Sequence, residues 1–581
     1  MENIRTKTLL VACSLYWLLA YLFLNWLPGR PILNAALILL AFYYISWWRL
    51  FEVQERINCV NRVWKTTKLD RIVCMALTTA TSLSTSVQLR RRTVKHESAN
   101  IPNGAATTNA TMNNTKHSKR GIWEILFGTI SAVNFIILLM LLDFTFRDRF
   151  FFAARDLAFT RTGAITAHSA RVFVRMPSVE QLRIEYRAID SDLFWKKGPE
   201  IHLEPQHDFT ATVSLEGLQP NTRYEWRFLR VGDSAQPQLE KKLAPLQFVT
   251  PPAEGTPTRM RFGSGSCIKR NFPYPGLLRE DGIPGFRWMS RHQMDLLVFL
   301  GDFIYADAPF YFGSGVENYR MLYRQIYATP DYQNIFKRVP SLHVYDDHEI
   351  LNNWSSQDDD PMPSAMKAFW EYQGETNANL TRNDGVAYFE YSYGDIGFFF
   401  LDTRRYRSPS RDPDDAQKTM LGAEQKRVFK EWVARVNSTR TFKFVVSSVP
   451  LTRNWRGPDA DADTWGGYLT ERAELFDILK DVPNVFFISG DRHEVGVTQL
   501  PHGFIDFSTS PINQFYFPLV NTYHERDGEK KLLYHRVGNQ KYAVFDIDTK
   551  ISPPKFVYRL YVGESMEPLW EYEVVGKKVL N

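Results

Sequence analysis

Five short apolar runs in the C-terminal part of the chain each end in polar residues. They are MRFGSGSC (ending at Cys267), LLVFLGDFIYAD (Asp302 and Tyr305), LHVYDDHE (Asp346, Asp347 and His348), GFFFLDTRRYR (Asp402 and Arg404) and VFFISGDRHE (Asp491 and His493). Runs rich in β-branched or aromatic residues predict buried strands. Ligands of layered α/β folds bind just beyond the carboxyl ends of such strands. If the charged residues had only structural roles, we would expect them at random places around the runs. Instead polar residues close every run, which predicts one shared metal centre.

Three longer apolar runs precede this part of the chain, at about 9–27, 32–50 and 122–144. Each run is long enough to cross a bilayer as a helix, and tryptophans lie mostly near the ends of the runs, as they do at membrane interfaces. We therefore expect residues 1–150 to form a three-helix transmembrane anchor. A cleaved signal peptide is the alternative for the first run. That run is long, lacks a convincing small-residue cleavage site, and is followed at once by the second.

The distribution of basic residues predicts the orientation of this anchor. The formal net charge is only +6, but lysines and arginines gather in the loop 51–120, whereas Arg147 and Arg149 are offset by Asp143 and Asp148. The positive-inside rule places the loop in the cytosol and the rest of the chain on the lumenal or extracellular side. Because the basic residues adjoin apolar segments and do not form a face with interleaved aromatics, we expect no nucleic-acid partner.

Residues 151–250 contain short alternating bursts such as ARVFVRM and YEWRFLRV, which predict a small all-β module. The segment GLQPNTRYEWRF (217–228) resembles a fibronectin type III turn, in which a tyrosine, here Tyr224, fastens a strand corner. We expect a fibronectin/Ig-like β-sandwich here. The segment PPAEGTP then leads into the last and largest part, residues 258–581.

Cysteine usage fits an exported C-terminal part. Of the four cysteines, only Cys267 lies there, so this part has no internal disulfide. Such a cysteine is an inert core residue, a reactive thiol or a metal ligand, and its loop of small residues after a predicted strand favours ligation. The sequons at Asn353, Asn379 and Asn437 predict glycans if this part is lumenal. Asn353 lies beside the predicted site, so we do not expect it to be modified.

The order of these motifs resembles that of the PhoD-like alkaline phosphatases, distant relatives of the purple acid phosphatases among the calcineurin-like metallophosphoesterases. The matching pieces are GSGSC (263–267), FLGDFIYAD (299–307), VYDDHEILNNW (344–354), FFFLDTRRYR (398–407), DTWGGY (463–468) and SGDRHEVG (489–496). The resemblance extends over roughly residues 160–520 and includes the β module. It implies a mixed α/β fold, a four-layer αββα sandwich, for residues 258–581, and hydrolysis of phosphate esters.

The resemblance also implies a site for Fe(III) and Ca(II). The expected ligands are Cys267, Tyr305 and His493 for iron, Asp347, Asp491 and Asn353 (or Asn352) for calcium, and Asp302 as the bridge. A thiolate and a phenolate suit trivalent iron, whereas hard oxygen donors suit calcium. Two adjacent metal ions supply the nucleophile and neutralise the phosphoryl oxygens of such a reaction.

Three further residues are candidates for a catalytic role. His348, which has the same offset as the histidine of the related GNHE motif, is the expected general acid, and Asp346 is expected to orient its ring and hold it protonated. Arg404 can clamp a phosphate bidentately. A structural histidine that caps a loop is the alternative for His348. A salt bridge to Asp402 or a surface role is the alternative for Arg404 and for the adjacent Arg405.

We therefore expect a membrane-anchored metallophosphatase that acts on phosphomonoesters or phosphodiesters, with an oligomeric state that the sequence does not predict. One alternative is a phospholipase D-like phosphodiesterase that acts on lipid headgroups, because the anchor holds the site near them. Another is an inactive relative that serves as a binding or adhesion module. Inactive relatives usually lose ligands, and every matched ligand position is filled here, which favours the enzyme.

Overall fold

The structure, a computed structural model, describes residues 2–63, 110–231, 238–239, 243, 245–380, 385–457, 459–516 and 521–579. The chain divides into two compact units, Met1–Phe23 with Arg30–Leu142, and Leu24–Gly29 with Asp143–Asn581. Much of the loop 51–120, on which the predicted orientation depends, lies outside the described residues.

Three long helices make up the N-terminal part that the structure describes. They are α1 (Glu2–Asn25, apolar over Lys7–Asn25), α2 (Arg30–Val63, apolar over Arg30–Trp48) and α3 (Ala110–Phe151, apolar over Ile125–Phe151). Each apolar stretch is long enough to cross a membrane. Pro31 stands in the first turn of α2, where the missing N–H is not needed for the helix. The three apolar helices are thus found close to where the sequence predicts them.

Two antiparallel sheets that share a hydrophobic core follow α3. The first contains β1 (Phe159–Ile165), β2 (Ser169–Arg175) and β5 (Thr210–Glu216), and the second contains β3 (Gln181–Ala188), β4 (Lys196–His202), β6 (Arg223–Arg230), β7 (Gln238–Leu239) and β8 (Leu246–Val249). At the corner before β6, the Gln219 N–H donates a hydrogen bond to Tyr224 Oη at 2.9 Å. The predicted role of Tyr224 at this corner is confirmed.

Two larger mixed sheets form the rest of the chain. The six-stranded sheet has the order β11-β10-β9-β19-β20-β21, and the seven-stranded sheet has the order β12-β13-β14-β15-β17-β16-β18. The strands are β9 (Arg259–Gly265), β10 (Leu296–Leu300), β11 (Ser341–Val344), β12 (Phe389–Tyr393), β13 (Ile396–Phe400), β14 (Phe442–Val446), β15 (Val485–Ser489), β16 (Val495–Gln499), β17 (Ile505–Thr509), β18 (Lys530–His535), β19 (Lys541–Asp548), β20 (Lys555–Val562) and β21 (Trp570–Val575).

Helices connect these strands. They are α4 (Pro284–Met289), α5 (Val316–Tyr327), α6 (Pro330–Ile335), α7 (Met362–Tyr372), α8 (Gly422–Val436), α9 (Ala460–Asp463) and α10 (Leu469–Leu479). Short 3-10 turns occur at Pro205–His207, Asp347–Glu349, Gly374–Thr376, Trp465–Gly467 and Pro501–Gly503.

Aromatic side chains join the two larger sheets. Phe262 of β9 contacts Phe398 and Phe444 of the other sheet edge-on, with ring centroids 5.5 and 5.6 Å apart. Successive side chains of a strand point to opposite faces. Phe399 accordingly turns away from this interior and contacts Trp432 of α8 at 5.4 Å. The strand interiors read as continuous apolar runs because both faces of the sheet are covered.

The parallel parts of the two sheets position the site. β10 pairs in parallel with β9 and β11, and β14 pairs in parallel with β13 and β15. Parallel pairing brings the carboxyl ends of neighbouring strands to one edge of each sheet, and the loops that leave these ends carry the predicted motifs.

Candidate metal centre

The predicted ligands meet at the carboxyl ends of the strands. Among the described residues, three groups of side chains offer ligand atoms that lie within 4.8 Å of one another. They are Cys267, Asp302 and His493; Asp302, Asp347 and His348; and Asp302, Asp346, Asp347 and Asp491. Asp302 belongs to all three groups, which is the arrangement that a bridging carboxylate requires.

The first group forms a contiguous network around Asp302. Cys267 Sγ lies 3.3 Å from Asp302 Oδ2, and the Tyr305 hydroxyl donates to the same oxygen at 3.0 Å. Tyr305 Oη is also 2.9 Å from His493 Nε2. Cys267, Asp302, Tyr305 and His493 are all buried. These are the donors that the sequence assigns to an iron site and to the bridge.

Several carboxylate oxygens of the site accept no hydrogen bond within the described ranges. Asp302 Oδ1, Asp346 Oδ2 and Asp491 Oδ2 are buried and have no hydrogen-bond partner among the described residues. Burial raises the pKa of Asp302 and of Asp491 well above its usual range, and the charge of the nearby Asp347 adds to both rises. Buried anionic oxygens are normally paired or bound to a metal. The donor set and its unpaired oxygens therefore fit a pair of cations.

Five of the predicted ligands adopt a left-handed backbone conformation. The φ angles are 63° for Cys267, 57° for Asp302, 58° for Asn353, 72° for Asp491 and 58° for His493. Positive φ is uncommon for residues other than glycine and is concentrated at functional sites. The loops therefore turn sharply where each strand ends, and the side chains of different strands converge.

A glycine before Asp302 and another before Asp491 allow the ligand loops to approach each other. A Cβ on Gly301, whose φ is +97°, would lie 2.6 Å from Asp346 Cβ, and a Cβ on Gly490 would lie 2.4 Å from Ser266 Oγ. Any larger residue would push neighbouring loops apart. The glycine of each GD pair is thus required by the packing of the site.

Glu349 holds two of the ligand loops together. Its carboxylate accepts hydrogen bonds from the backbone N–H groups of Asp302 at 3.0 Å, Phe303 at 2.5 Å and Asp346 at 2.8 Å. Glu349 was not among the site residues predicted from the sequence. A signal was present, because an aspartate followed three residues later by a glutamate is a capping-box pattern, and the structure forms that box over Asp346 and Glu349.

His348 has a carboxylate partner that the sequence did not identify. Its Nδ1 lies 2.7 Å from Asp307 Oδ1, and Asp307 Oδ2 accepts the Asn352 N–H at 2.9 Å. Burial alone would lower the pKa of His348, but the carboxylates of Asp307, Asp347 and Asp302 outweigh it and raise the pKa well above its usual range. The expectation that Asp346 orients the ring is therefore wrong, since Asp307 occupies that position.

Asp346 instead belongs to a buried ion cluster with Arg404. Asp346 Oδ1 accepts hydrogen bonds from Arg404 Nε and from the Ser448 hydroxyl, the latter at 2.6 Å. Arg404 also donates to both oxygens of Asp463, at 2.6 and 2.9 Å, and its side chain is fully buried. This geometry contradicts the expected phosphate clamp. Nor does the Arg404 guanidinium pair with Asp402, which receives its backbone N–H at 3.1 Å.

Arg492 lies beside the predicted metal ligand Asp491, and part of its side chain is exposed. Its Nη1 lies 3.6 Å from Asp491 Oδ2, and its Nη2 lies 3.2 Å from Asp459 Oδ1. The neighbouring arginine of the LDTRRYR motif, Arg405, pairs with Asp358 at 2.8 Å. Arg492 was not among the site residues predicted from the sequence, although it lies between Asp491 and His493, the two predicted ligands of the GDRH motif.

The Asn353 loop reaches the calcium-type ligands through its backbone. The Asn353 N–H donates to Asp347 Oδ2, and Asn352 is exposed. Side-chain ligation by Asn353 or Asn352 stays a prediction.

Comparison with known proteins identifies similar sequences. The model of the family "PhoD-like phosphatase" matches residues 263–550. Alkaline phosphatase D of Bacillus subtilis (strain 168) is 24% identical over 371 residues, which are 56% of this chain and 60% of that protein. The chain thus spans about three fifths of the length of this curated relative. The resemblance drawn from the motifs is confirmed by these matches.

Comparison with solved structures shows the same fold. A structure of PhoD has a TM-score of 0.56 at 16% identity and covers 72% of this chain and 92% of its own. The purple acid phosphatase PPD1 from seeds of yellow lupin (Lupinus luteus) has a TM-score of 0.52 at 12% identity and covers 72% of this chain and 74% of its own. The predicted mixed α/β fold is thereby confirmed.

Proposed function

We propose that this protein hydrolyses phosphate esters at the metal centre around Asp302 while it is anchored in a membrane, because residues 263–550 match the model of the PhoD-like phosphatase family. The observation that carries this proposal is the convergence of three ligand groups on Asp302, together with buried carboxylate oxygens that accept no hydrogen bond from the described residues. An inactive relative would be expected to have lost part of this donor set.

The residues divide into two kinds of donor. We propose Cys267, Tyr305 and His493 as ligands of Fe(III), Asp347, Asp491 and Asn353 as ligands of Ca(II), and Asp302 as the bridge. The thiol and the phenol support iron, and the oxygen donors support calcium. When bound, such a metal pair activates water and neutralises charge on the phosphoryl group.

His348 is the proposed general acid, and Asp307 is its positioning residue. The carboxylate on Nδ1 leaves Nε2 as the nitrogen that donates to a leaving oxygen and favours the protonated ring. A positioned acid of this kind accelerates only those reactions in which the leaving group needs a proton.

We propose Arg492, and not Arg404, as the arginine that binds the phosphate group. Arg404 is fully buried among Asp346 and Asp463, so it can act only by positioning the Asp346 loop. Arg492 is partly exposed beside Asp491, and its Nε has no hydrogen-bond partner among the described residues. A guanidinium with free donors is suited to phosphoryl oxygens.

We propose that the catalytic part lies on the lumenal or extracellular side. The charge asymmetry around the three apolar helices supports this orientation. Asn379 and Asn437 are exposed, as glycan acceptors must be. In sealed microsomes, added protease should cleave the 51–120 loop and leave the C-terminal part intact. Digestion of the C-terminal part in sealed vesicles would reverse the orientation.

Two finer points of architecture are also proposals. The contacts of Phe262 with Phe398 and of Phe399 with Trp432 support a helix–sheet–sheet–helix order for residues 258–581. The strand order and the Tyr224 corner support a fibronectin-like module at residues 151–250.

The function is tested with the purified full chain on nitrophenyl phosphate and bis-nitrophenyl phosphate. We expect hydrolysis of at least one of them by the wild type. Cys267→Ser should lose iron and nearly all activity while it keeps its circular dichroism spectrum, because a ligand belongs to the site and not to the core. Cys13→Ser, which removes a buried cysteine of α1, is the matched control and should stay active. Metal-loaded wild-type protein without activity on either ester would support the inactive alternative.

A further inference from the structure

The end of α3 is fastened to a loop that leaves the metal centre. Tyr274 Oη donates to Asp143 Oδ2 at 2.8 Å, and Arg147 Nη1 donates to the Arg279 carbonyl at 2.9 Å. Tyr274 and Arg279 both belong to a loop that begins at Phe272, five residues after Cys267. We call residues 272–281 the proline-glycine loop.

Aromatic contacts strengthen the same junction. The Phe144 ring lies 6.4 Å from Phe272 and 5.6 Å from Tyr274 of the proline-glycine loop. The Phe146 ring lies 5.5 Å from Phe310, which follows Asp307 by three residues. Such pairs contribute beyond their buried area. The end of α3 therefore touches the segments that follow Cys267 and Asp307.

The length of α3 places this junction relative to a bilayer. Its apolar stretch Ile125–Phe151 has 27 residues, which is about 40 Å of helix at about 1.5 Å per residue. The hydrocarbon layer is about 30 Å thick. Roughly 10 Å of the helix, or about seven residues, therefore extends into the headgroup region. The charged residues Asp143, Arg147, Asp148 and Arg149 mark that portion.

The tip of the proline-glycine loop is apolar and exposed. Leu278 is 83% exposed and Leu277 is 40% exposed, and α3, to which this loop is fastened through Asp143 and Arg147, ends in Phe151 with 84% exposure. Neighbouring exposed apolar residues of this size mark interaction surfaces. The loop is fastened to Asp143 and Arg147, which belong to the membrane-length stretch Ile125–Phe151 of α3. The two exposed leucines therefore lie close to a helix that is long enough to cross a bilayer, and this favours lipid as their partner.

We propose that Leu277 and Leu278 rest in the lipid interface and that the metal centre is thereby held at the membrane surface. The substrates that reach it most readily are then phosphate esters carried by membrane lipids. This inference rests on the proposed membrane anchoring and phosphate-ester hydrolysis. It narrows the proposed substrates from phosphate esters in general to those carried by membrane lipids.

Photochemical labelling tests the contact without requiring activity. The full chain carrying a benzophenone amino acid at position 278 is reconstituted in phosphatidylcholine vesicles, irradiated, and analysed by mass spectrometry for lipid adducts. Position 136, occupied by the half-exposed Ile136 of α3, is the positive control. Position 194 is the negative control, because Phe194 is 82% exposed but lies between β3 and β4 of the β module, and not in α3 or in the proline-glycine loop.

We expect lipid adducts at positions 278 and 136 and none at position 194. Adducts at 136 alone would overturn the lipid contact while the anchoring stands. Adducts at none of the three would overturn the anchoring as well. A cross-link from position 278 to a second copy of the chain would assign this surface to self-association and overturn the proposal.

A paired substitution tests the consequence for substrates. The double variant Leu277→Asp with Leu278→Asp should hydrolyse phosphatidic acid in phosphatidylcholine vesicles roughly tenfold or more slowly, because two apolar anchors are lost. Hydrolysis of soluble nitrophenyl phosphate should be unchanged. Leu193→Asp with Phe194→Asp is the matched control and should affect neither rate. Equal losses on both substrates would make the loop structural, and unchanged hydrolysis of phosphatidic acid would overturn the narrowed substrate class.

Discussion

Two buried charged clusters of this molecule differ in how their charges are compensated. The first is the metal centre, in which Asp302, Asp346 and Asp491 each have a carboxylate oxygen that accepts no hydrogen bond from the part of the chain that the structure describes. The second lies between the β module and the α/β part, and we call it the arginine joint. It consists of Arg175, Asp208, Arg320, Arg324 and Glu371.

In the arginine joint the chain supplies its own counter-charges. Asp208 faces Arg175 at 2.8 Å and Arg324 at 2.7 Å, and Arg320 Nε donates to Glu371 at 2.7 Å. A buried ion pair with good geometry is a structural element, whereas buried carboxylates in excess require an external cation. The comparison shows why the same residue types have a structural role in one cluster and a chemical role in the other.

The largest expected effect comes from the residue common to all ligand groups. Asp302→Asn should abolish hydrolysis of both nitrophenyl esters and reduce metal content, because the amide oxygen is a poorer bridge than a carboxylate. Elemental analysis and steady-state assays check this. Asp208→Asn is the matched control in the arginine joint and should keep its metals. Full metal occupancy in Asp302→Asn would remove the distinction between the two clusters.

His348→Asn should slow hydrolysis of alkyl phosphates by roughly 10²–10⁴-fold and that of nitrophenyl phosphate far less, because the nitrophenolate scarcely needs a proton. Metal content should match the wild type. Asp307→Asn should show the same dependence on the leaving group, whereas Asp347→Asn should depress both substrates alike and lower metal occupancy. Equal losses on both substrates in His348→Asn would make the residue a ligand or a structural histidine.

A substitution in the arginine joint should lower the stability of the fold and leave the metal content unchanged, which is the opposite of what we expect at the metal centre. Arg324→Met removes one of the two arginines that pair with the buried Asp208 carboxylate. The loss of this counter-charge should lower the free energy of unfolding by about 3–5 kcal/mol. Denaturant titration measures this loss, and metal content per folded chain should not change. A variant of normal stability that has lost its metals would contradict the assignment of the joint as structural.

The smallest of these effects is expected at Glu349. Glu349→Gln weakens the backbone contacts that shape the Asp302 and Asp346 loops, and supporting groups of this kind cost roughly 10–100-fold in metal affinity or activity. Metal titration of chelator-treated protein measures the affinity. An unchanged affinity would show that the ligand loops keep their shape without this carboxylate.

The sequence predicted well which side chains come together, because strand ends are local features. A strand that ends in GD or DDHE can be recognised within ten residues, and parallel pairing brings such ends together without further information. The glycines before Asp302 and Asp491 belong to the same local pattern. The mixed α/β fold was implied by the resemblance of these motifs, in their order, to the PhoD-like phosphatases.

The partners of the polar side chains could not be predicted in the same way. The carboxylate on His348 comes from Asp307, 41 residues earlier, and the carboxylate that occupies Arg404 comes from Asp463, 59 residues later. The adjacent Asp346 was the plausible partner by sequence distance. Which carboxylate pairs with a buried arginine or histidine depends on how distant loops pack against each other. A single sequence motif contains no information about that packing.

The central claim is that a pair of metal ions fills the excess of buried carboxylates around Asp302, and elemental analysis with an absorption spectrum tests it most directly. Purified full-length protein should contain iron together with calcium and should be coloured by a charge-transfer band from the Cys267 thiolate or the Tyr305 phenolate. Removal of the metals should abolish both colour and activity and lower the melting temperature, since a ligand bound only by the folded state stabilises it. Colourless, fully active protein that contains only zinc would contradict the metal assignment, and fully active protein without any metal would contradict the account itself.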